Sequence, residues 1–173
     1  MERNSTERMS INYFDKNLRE EENILEYLQN QFQSLANTYF GGIEIVPIYF
    51  ENLEDTEAEL NQTYGCILLN RKNKRNKKKL LRSLIHEIEH LYQIHYVNTY
   101  STPKARRWKQ QLENYTSNED YLSYAIQEIE IDAEAMAQII LKCEYGLQCK
   151  NSIPLVQMLI DHYIKTKKIL NDD

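Results

Sequence analysis

Four glycines and three prolines are all that interrupt a chain of 173 residues. So few breakers leave little room for the tight turns of an all-β sandwich and favour long helices. The length is that of one domain, at roughly 100–200 residues per domain. Hydrophobic residues make up 42% and charged residues 27%. Both lie in the ordinary globular range, so neither wholesale disorder nor a fibrous repeat fits. Apolar runs such as the one from Gly65 to Leu69 fall far short of the ~18–20 residues that span a bilayer. The first eight residues lack the apolar core of a signal peptide. Cys66, Cys143 and Cys149 are an odd number, which suits reduced thiols better than a disulfide framework. The expectation is a cytoplasmic protein without a membrane partner.

Residues 1–17 are polar and read as a loose N-terminal segment. Over residues 17–40, Leu18, Leu25, Leu28, Phe32 and Leu35 recur at helical spacing, and Gly41-Gly42 ends the pattern. Residues 43–50 are β-branched and aromatic and read as a strand, which Pro47 restricts to an edge or a bulge. Residues 51–63 are acidic and polar, hence a loop, and residues 64–70 form a second short strand. A helix is expected over 76–96 and a largely irregular insertion, with some helix, over 97–118. A helix over 120–144 follows, with Ser117, Asn118 and Asp120 as possible caps and Gly146 as its stop. A last helix over 153–169 opens on Pro154, with Leu155, Met158, Leu159, Tyr163 and Ile169 as its apolar face. The fold class is therefore α+β, mostly helical, with a short sheet.

Net charge is −5, but it is unevenly spread. From Arg71 to Lys79 the chain holds seven basic residues and no acidic one, which leaves 14 basic against 26 acidic residues elsewhere, a net of −12. A protein that coats nucleic acid is normally basic overall, and this run lacks aromatic residues on which bases could stack. It reads first as a solvated loop and helix start, and second as a local site for nucleic acid or an acidic partner.

The 76–96 helix carries His86-Glu87-Ile88-Glu89-His90. Residues four apart on a helix stand ~40° apart around its axis, so two imidazoles at this spacing can reach one metal ion. Zinc takes imidazole nitrogens in a tetrahedral shell. Glu87 then falls beside the open position, where it can accept a proton from activated water and pass it to a leaving amine. A third ligand must come from elsewhere. His95 lies ~180° from His86 on the same helix, and His162 could reach the site only through the fold. The better source is the segment from Gln127 to Ala137, where Glu130, Ala133, Glu134 and Ala137 share one face. The alanines allow another helix to approach closely. Glu130 would bind zinc and Glu134 would accept a hydrogen bond from a ligand histidine. Glu128 or Glu134 as the ligand is the alternative. Glu128 and Asp132 lie ~200° from Glu130 and should face away. Tyr92, Tyr96, Tyr121, Tyr124 and His162 are candidates for stabilising an oxyanion.

A strand ending Ile67-Leu68-Leu69-Asn70, a helix with His-Glu-x-x-His and a helix with Glu-x-x-Ala-(acid)-x-x-Ala resemble the gluzincin metallopeptidases. Among them the chain is most similar to the small ImmA/IrrE-type zincins and related proteins of phages and mobile elements. The resemblance covers less than a third of the chain. It implies a zincin-like α+β fold in which a sheet edge beside the active-site helix holds an extended substrate by strand addition. It also implies His86, His90 and Glu130 as zinc ligands and Glu87 as general base. Glu89 stands where the family usually has glycine, and Glu134 where it usually has aspartate or asparagine.

Three functions follow as expectations. The first is a zinc-dependent metallopeptidase acting on a protein or peptide substrate. The second is a zincin-like protein that grips a partner without cutting it, for which Glu87 would have no chemical use. The third is a protease guided to nucleic-acid-bound substrates by its basic runs, although no separate DNA-binding module is visible.

Overall fold

The backbone breaks where the few glycines stand and where a buried strand needs a partner. The computed structural model describes residues 5–114 and 121–171, with side chains over 19–114 and 121–166. Six helices and a three-stranded sheet follow in the order α1 (Ser5–Tyr39), β1 (Ile48–Glu51), β2 (Ala58–Asn61), β3 (Cys66–Asn70), α2 (Lys77–Thr99), α3 (Pro103–Glu113), α4 (Tyr121–Ala125), α5 (Glu128–Tyr145) and α6 (Pro154–Asn171). The expected α+β class, mostly helical with a small sheet beside α2, is what forms. Among the described residues, no helix is long and apolar enough to cross a membrane.

The helix α1 starts at Ser5, so the expectation of a loose segment over 1–17 is corrected for residues 5–17. Leu28, Phe32, Leu35 and Ala36 form its buried stripe, and Phe32 is fully enclosed. Gly41 and Gly42 adopt positive φ. There the Gly42 N–H reaches back to the Ala36 carbonyl at 2.9 Å, closing the helix with the capping turn glycine permits. Phe32→Ala is expected to destabilise the chain by ~3–5 kcal/mol, through lost burial and the cavity left behind. Denaturant titration at constant m-value would measure it.

The sheet runs β1-β3-β2, with β1 parallel and β2 antiparallel to the central β3. Ile67 and Leu69 of β3 are wholly buried. The first strand begins at Ile48 rather than 43, immediately after Pro47. That proline has no N–H to give a ladder, but its carbonyl accepts from the Ile67 N–H at 2.9 Å. The expected loop over 51–63 contains β2, a correction with a tertiary cause. Ala-Glu-Leu-Asn has little strand preference of its own, yet β3 has a second edge whose backbone groups need partners. Asn70 organises the approach. Its buried amide donates to the carbonyls of Leu53 and Thr56 at 2.6 and 2.7 Å.

The helix α2 starts on Asn76, whose side chain accepts from the Lys79 N–H at 3.1 Å. It packs on the sheet, on α1 and most extensively on α5. The basic run joins these parts. Arg71 and Lys74 pair with Glu21, Arg75 with Glu20 and Lys79 with Glu57, while Lys77 lies over the Tyr27 ring. Each exposed pair contributes at most about 1 kcal/mol, but the contacts with Glu20, Glu21 and Tyr27 together set α1 against the start of α2, and Lys79 ties α2 to the segment before β2.

Over its described residues, 97–114, the expected insertion is mostly regular. α2 continues to Thr99, and α3 opens with Thr102 as cap and Pro103 in its first turn. Trp108 of α3 is fully buried against Tyr96, with Lys104 over its ring at 3.8 Å. Ser117, Asn118 and Asp120 lie outside the described residues. The single helix expected over 120–144 is two, broken at Ile126 and an extended Gln127. The break puts Glu128 and Glu130 in the first turn of α5, where carboxylates complement the helix dipole. Ala125, Ile131, Ala135, Val156 and Ile160 join α4, α5 and α6 in a second small core. The cysteines are free thiols, with Cys66 buried and Cys143 exposed.

Candidate metal centre

Three donor groups that the sequence separates by up to 44 positions converge where α2 crosses α5. His86 and His90 project from α2, and Glu130 from the first turn of α5. The two imidazole Nε2 atoms are 3.0 Å apart. Glu130 Oε2 is 3.2 Å from His86 Nε2, and its Oε1 is 3.3 Å from His90 Nε2. A tetrahedral shell with bonds of ~2.0–2.1 Å has edges of ~3.3–3.4 Å. Each imidazole Nε2 faces a different oxygen of the one Glu130 carboxylate, and one donor atom from each of the three residues lies within 4.8 Å of the other two, a spacing that small shifts bring to such a shell. The donor set is two nitrogens and one carboxylate oxygen, so it fits a zinc-sized cation and leaves a fourth position for another group.

Packing explains how the face forms. Ala133 and Ala137 are fully buried, so α5 comes close to α2, and Glu130 and Glu134 are carried inward with them. His86 Nδ1 faces Glu134 Oε2 at 3.7 Å, an ion-pair contact longer than a direct hydrogen bond. Glu134 in turn takes a forked bond from Arg82, with its oxygens 2.9 Å from Nη2 and Oε1 3.0 Å from Nε. Arg82 also reaches Glu57 at 3.4 Å, which ties the site to the segment before β2. On the other side, His90 Nδ1 lies 2.9 Å from Gln93 Oε1.

Burial would lower the pKa of both imidazoles. For His86 the proximity of the Glu130 and Glu134 carboxylates outweighs it, and the pKa stands well above the ordinary value. For His90 the bond to Glu130 also wins, and its pKa is raised. Burial pushes the Glu130 carboxyl up, but the two histidines more than offset this and hold it below its usual range. Glu134 is lowered too, since His86 and Arg82 overcome its burial. Without a metal, this cluster holds protons between its carboxylate and its imidazoles; a cation would take their place.

Glu87 is buried, and its surroundings differ from those of Glu130. Desolvation raises its pKa, opposed by the charges of His86 and His90 and by the Leu60 backbone N–H. That N–H belongs to β2. Since Asn70 N–H bonds to the Glu57 carbonyl across the ladder, the alternation of an antiparallel pair turns the backbone groups of Ala58 and Leu60 away from β3. The outer edge of β2 therefore runs beside Glu87.

The residues expected at the site are brought together: His86, His90, Glu130 and Glu87 all meet there, with Glu134 behind His86. His95 is exposed, its Nε2 3.5 Å from Thr99 Oγ1, and His162 is exposed on α6. Tyr92 and Tyr96 belong to an aromatic column with Phe40, Tyr100 and Trp108. Glu128 faces away as expected and bonds to Gln111. Asp132 departs from expectation: it is not one of the convergent donors, but it is fully buried, against Gln93 and Tyr163. Arg82 and Gln93 were not singled out in the sequence. Their spacing was the available signal, because 82, 86, 90 and 93 lie along one stripe of a helix. No protein-family model, curated protein or solved structure matches the chain.

Proposed function

We propose that the chain is a zinc-dependent metallopeptidase of the gluzincin type, with His86, His90 and Glu130 as ligands and Glu87 as general base. The observation that carries this reading is a buried carboxylate, Glu87, that lies beside three convergent donors without being one of them. A protein that only gripped its partner would gain nothing from it.

A zinc ion in this donor set supplies Lewis acidity to a peptide carbonyl and to attacking water. The rest is the chain's own work. Glu87 takes a proton from the water as it attacks and returns it to the amine nitrogen as the C–N bond breaks. Its raised pKa suits a group that must both accept and release that proton. An extended substrate is accommodated along β2, pairing with the outward backbone groups of Ala58 and with the Leu60 carbonyl, while the Leu60 N–H stays with Glu87. Arg82 and Glu134 hold His86 in place. The basic run gives a nucleic-acid reading little support, because Arg71, Lys74, Arg75 and Lys79 are engaged with acidic residues of the chain itself.

Glu134→Ala is expected to weaken zinc binding by ~10–100-fold, as loss of an outer partner of a ligand typically does. Glu128→Ala should leave it unchanged. Competition with a chromogenic chelator would measure both. For the activity, a host lysate would be incubated with the zinc-loaded chain or with Glu87→Gln, and new protein termini mapped. Termini found only with the parent chain support a peptidase. Identical maps at zinc saturation would replace it with a protein that binds without cutting.

A further inference from the structure

A second chain of hydrogen bonds starts at His90 and runs away from the donor cluster. His90 Nδ1 is 2.9 Å from Gln93 Oε1. Gln93 is wholly buried. Its amide nitrogen donates to the Ile129 carbonyl at 2.9 Å and to Asp132 Oδ2 at 3.2 Å. Asp132, itself fully buried, also accepts from the Tyr163 hydroxyl of α6.

These partners determine which way the Gln93 amide lies. A backbone carbonyl can only accept, so the end facing Ile129 must be the NH2 group. Turning the amide over would set its oxygen against the Ile129 oxygen and leave two buried acceptors without this donor, at the cost of unmet buried hydrogen bonds. Oε1 therefore faces His90. An oxygen there can only accept, so Nδ1 must carry a proton. Once the ring is neutral, its lone pair lies on Nε2, the nitrogen 3.3 Å from Glu130.

We propose that Gln93 is a positioning residue: clamped between Ile129 and Asp132, it orients His90 and commits Nε2 to the metal. The role of the ligand rests on the zinc reading above; the orientation of the ring does not. Gln93 is also an uncharged acceptor, so it orients the imidazole without adding a negative charge beside Glu130. Because its anchors lie on α5, and Asp132 is tied in turn to α6, the direction of a ligand on α2 is set by the packing of three helices.

Labelling the histidine rings with ¹⁵N in the full chain reads this by magnetic resonance. With zinc and after chelation, His90 Nδ1 is expected to carry a proton that exchanges slowly with solvent. Zinc should perturb Nε2 as the bound nitrogen. In Gln93→Met, which keeps the volume and removes both hydrogen-bonding ends, that proton should exchange fast. Zinc affinity should fall ~10–100-fold with the helical circular dichroism unchanged. A bare His90 Nδ1, or zinc bound through Nδ1, would overturn the proposal. So would Gln93→Met with parental zinc affinity. If that variant does not fold, the spectra of the parent chain decide. If the parent binds no zinc, the metal reading fails on its own, and the Nδ1 proton of the metal-free chain still decides whether Gln93 orients His90.

Discussion

Glu87→Gln is expected to keep its zinc and its melting temperature while losing peptide hydrolysis by ~10²–10⁴ or more. The carboxylate follows His86 on α2, so it lies beside the convergent donors without being one of them. Glutamine keeps its length and can still accept from the Leu60 N–H, but it cannot take the proton of attacking water. The buried carboxyl is also costly to desolvate, which is why its pKa is raised. Removing that cost means the neutral amide is not expected to weaken the fold. The measurements are zinc stoichiometry, thermal unfolding and turnover on one preparation. Loss of zinc together with turnover would mean that Glu87 belongs to the donor set instead. Intact turnover would remove it from the chemistry.

Glu130→Ala and His86→Ala are each expected to abolish stoichiometric zinc binding. Two remaining donors cannot complete a stable site, whereas loss of Glu134 behind His86 weakens one only ~10–100-fold. Zinc analysis of protein purified without chelator should give one ion per parent chain and none for either variant. Near-zero stoichiometry in the parent chain, not restored by added zinc, would defeat the metal reading. Chelation should also lower stability, because a ligand present at 100 times its Kd contributes ~2.7 kcal/mol. The pH dependence has a definite sign. Both imidazoles must be neutral to bind a metal, and in the metal-free chain both are held above their ordinary pKa. Zinc therefore displaces protons, and its apparent affinity should fall as pH is lowered through those raised values. Release of protons on zinc addition in weak buffer would register the same exchange.

The local parts of this molecule were legible because local rules govern them. The stripe of Leu28, Phe32 and Leu35 and the Gly41-Gly42 stop need only helix periodicity and a positive φ. The placement of His86 one turn before His90 needs only 3.6 residues per turn. The same geometry puts Glu130, Ala133, Glu134 and Ala137 on one face of α5, so the convergence of Glu130 with His86 and His90 follows from helix periodicity once α5 meets α2. What the residues did not disclose locally was decided by partners far along the chain. β2 is a strand because β3 had an edge to fill, against the preference of Ala-Glu-Leu-Asn. The basic run from Arg71 to Lys79 reads as free charge until α1 supplies Glu20 and Glu21, 50 or more positions earlier. Helix periodicity alone puts Asp132 on an outer face, because a helical wheel has only an inside and an outside, while α5 is covered by α2 on one side and α6 on another. Gln93 illustrates the division most sharply. Its place on the histidine stripe follows from the sequence by itself. The direction of its amide, and with it the orientation of His90, depends on Ile129 and Asp132, 36 and 39 residues away. Hydrogen bonds of that range exist only after the helices have packed.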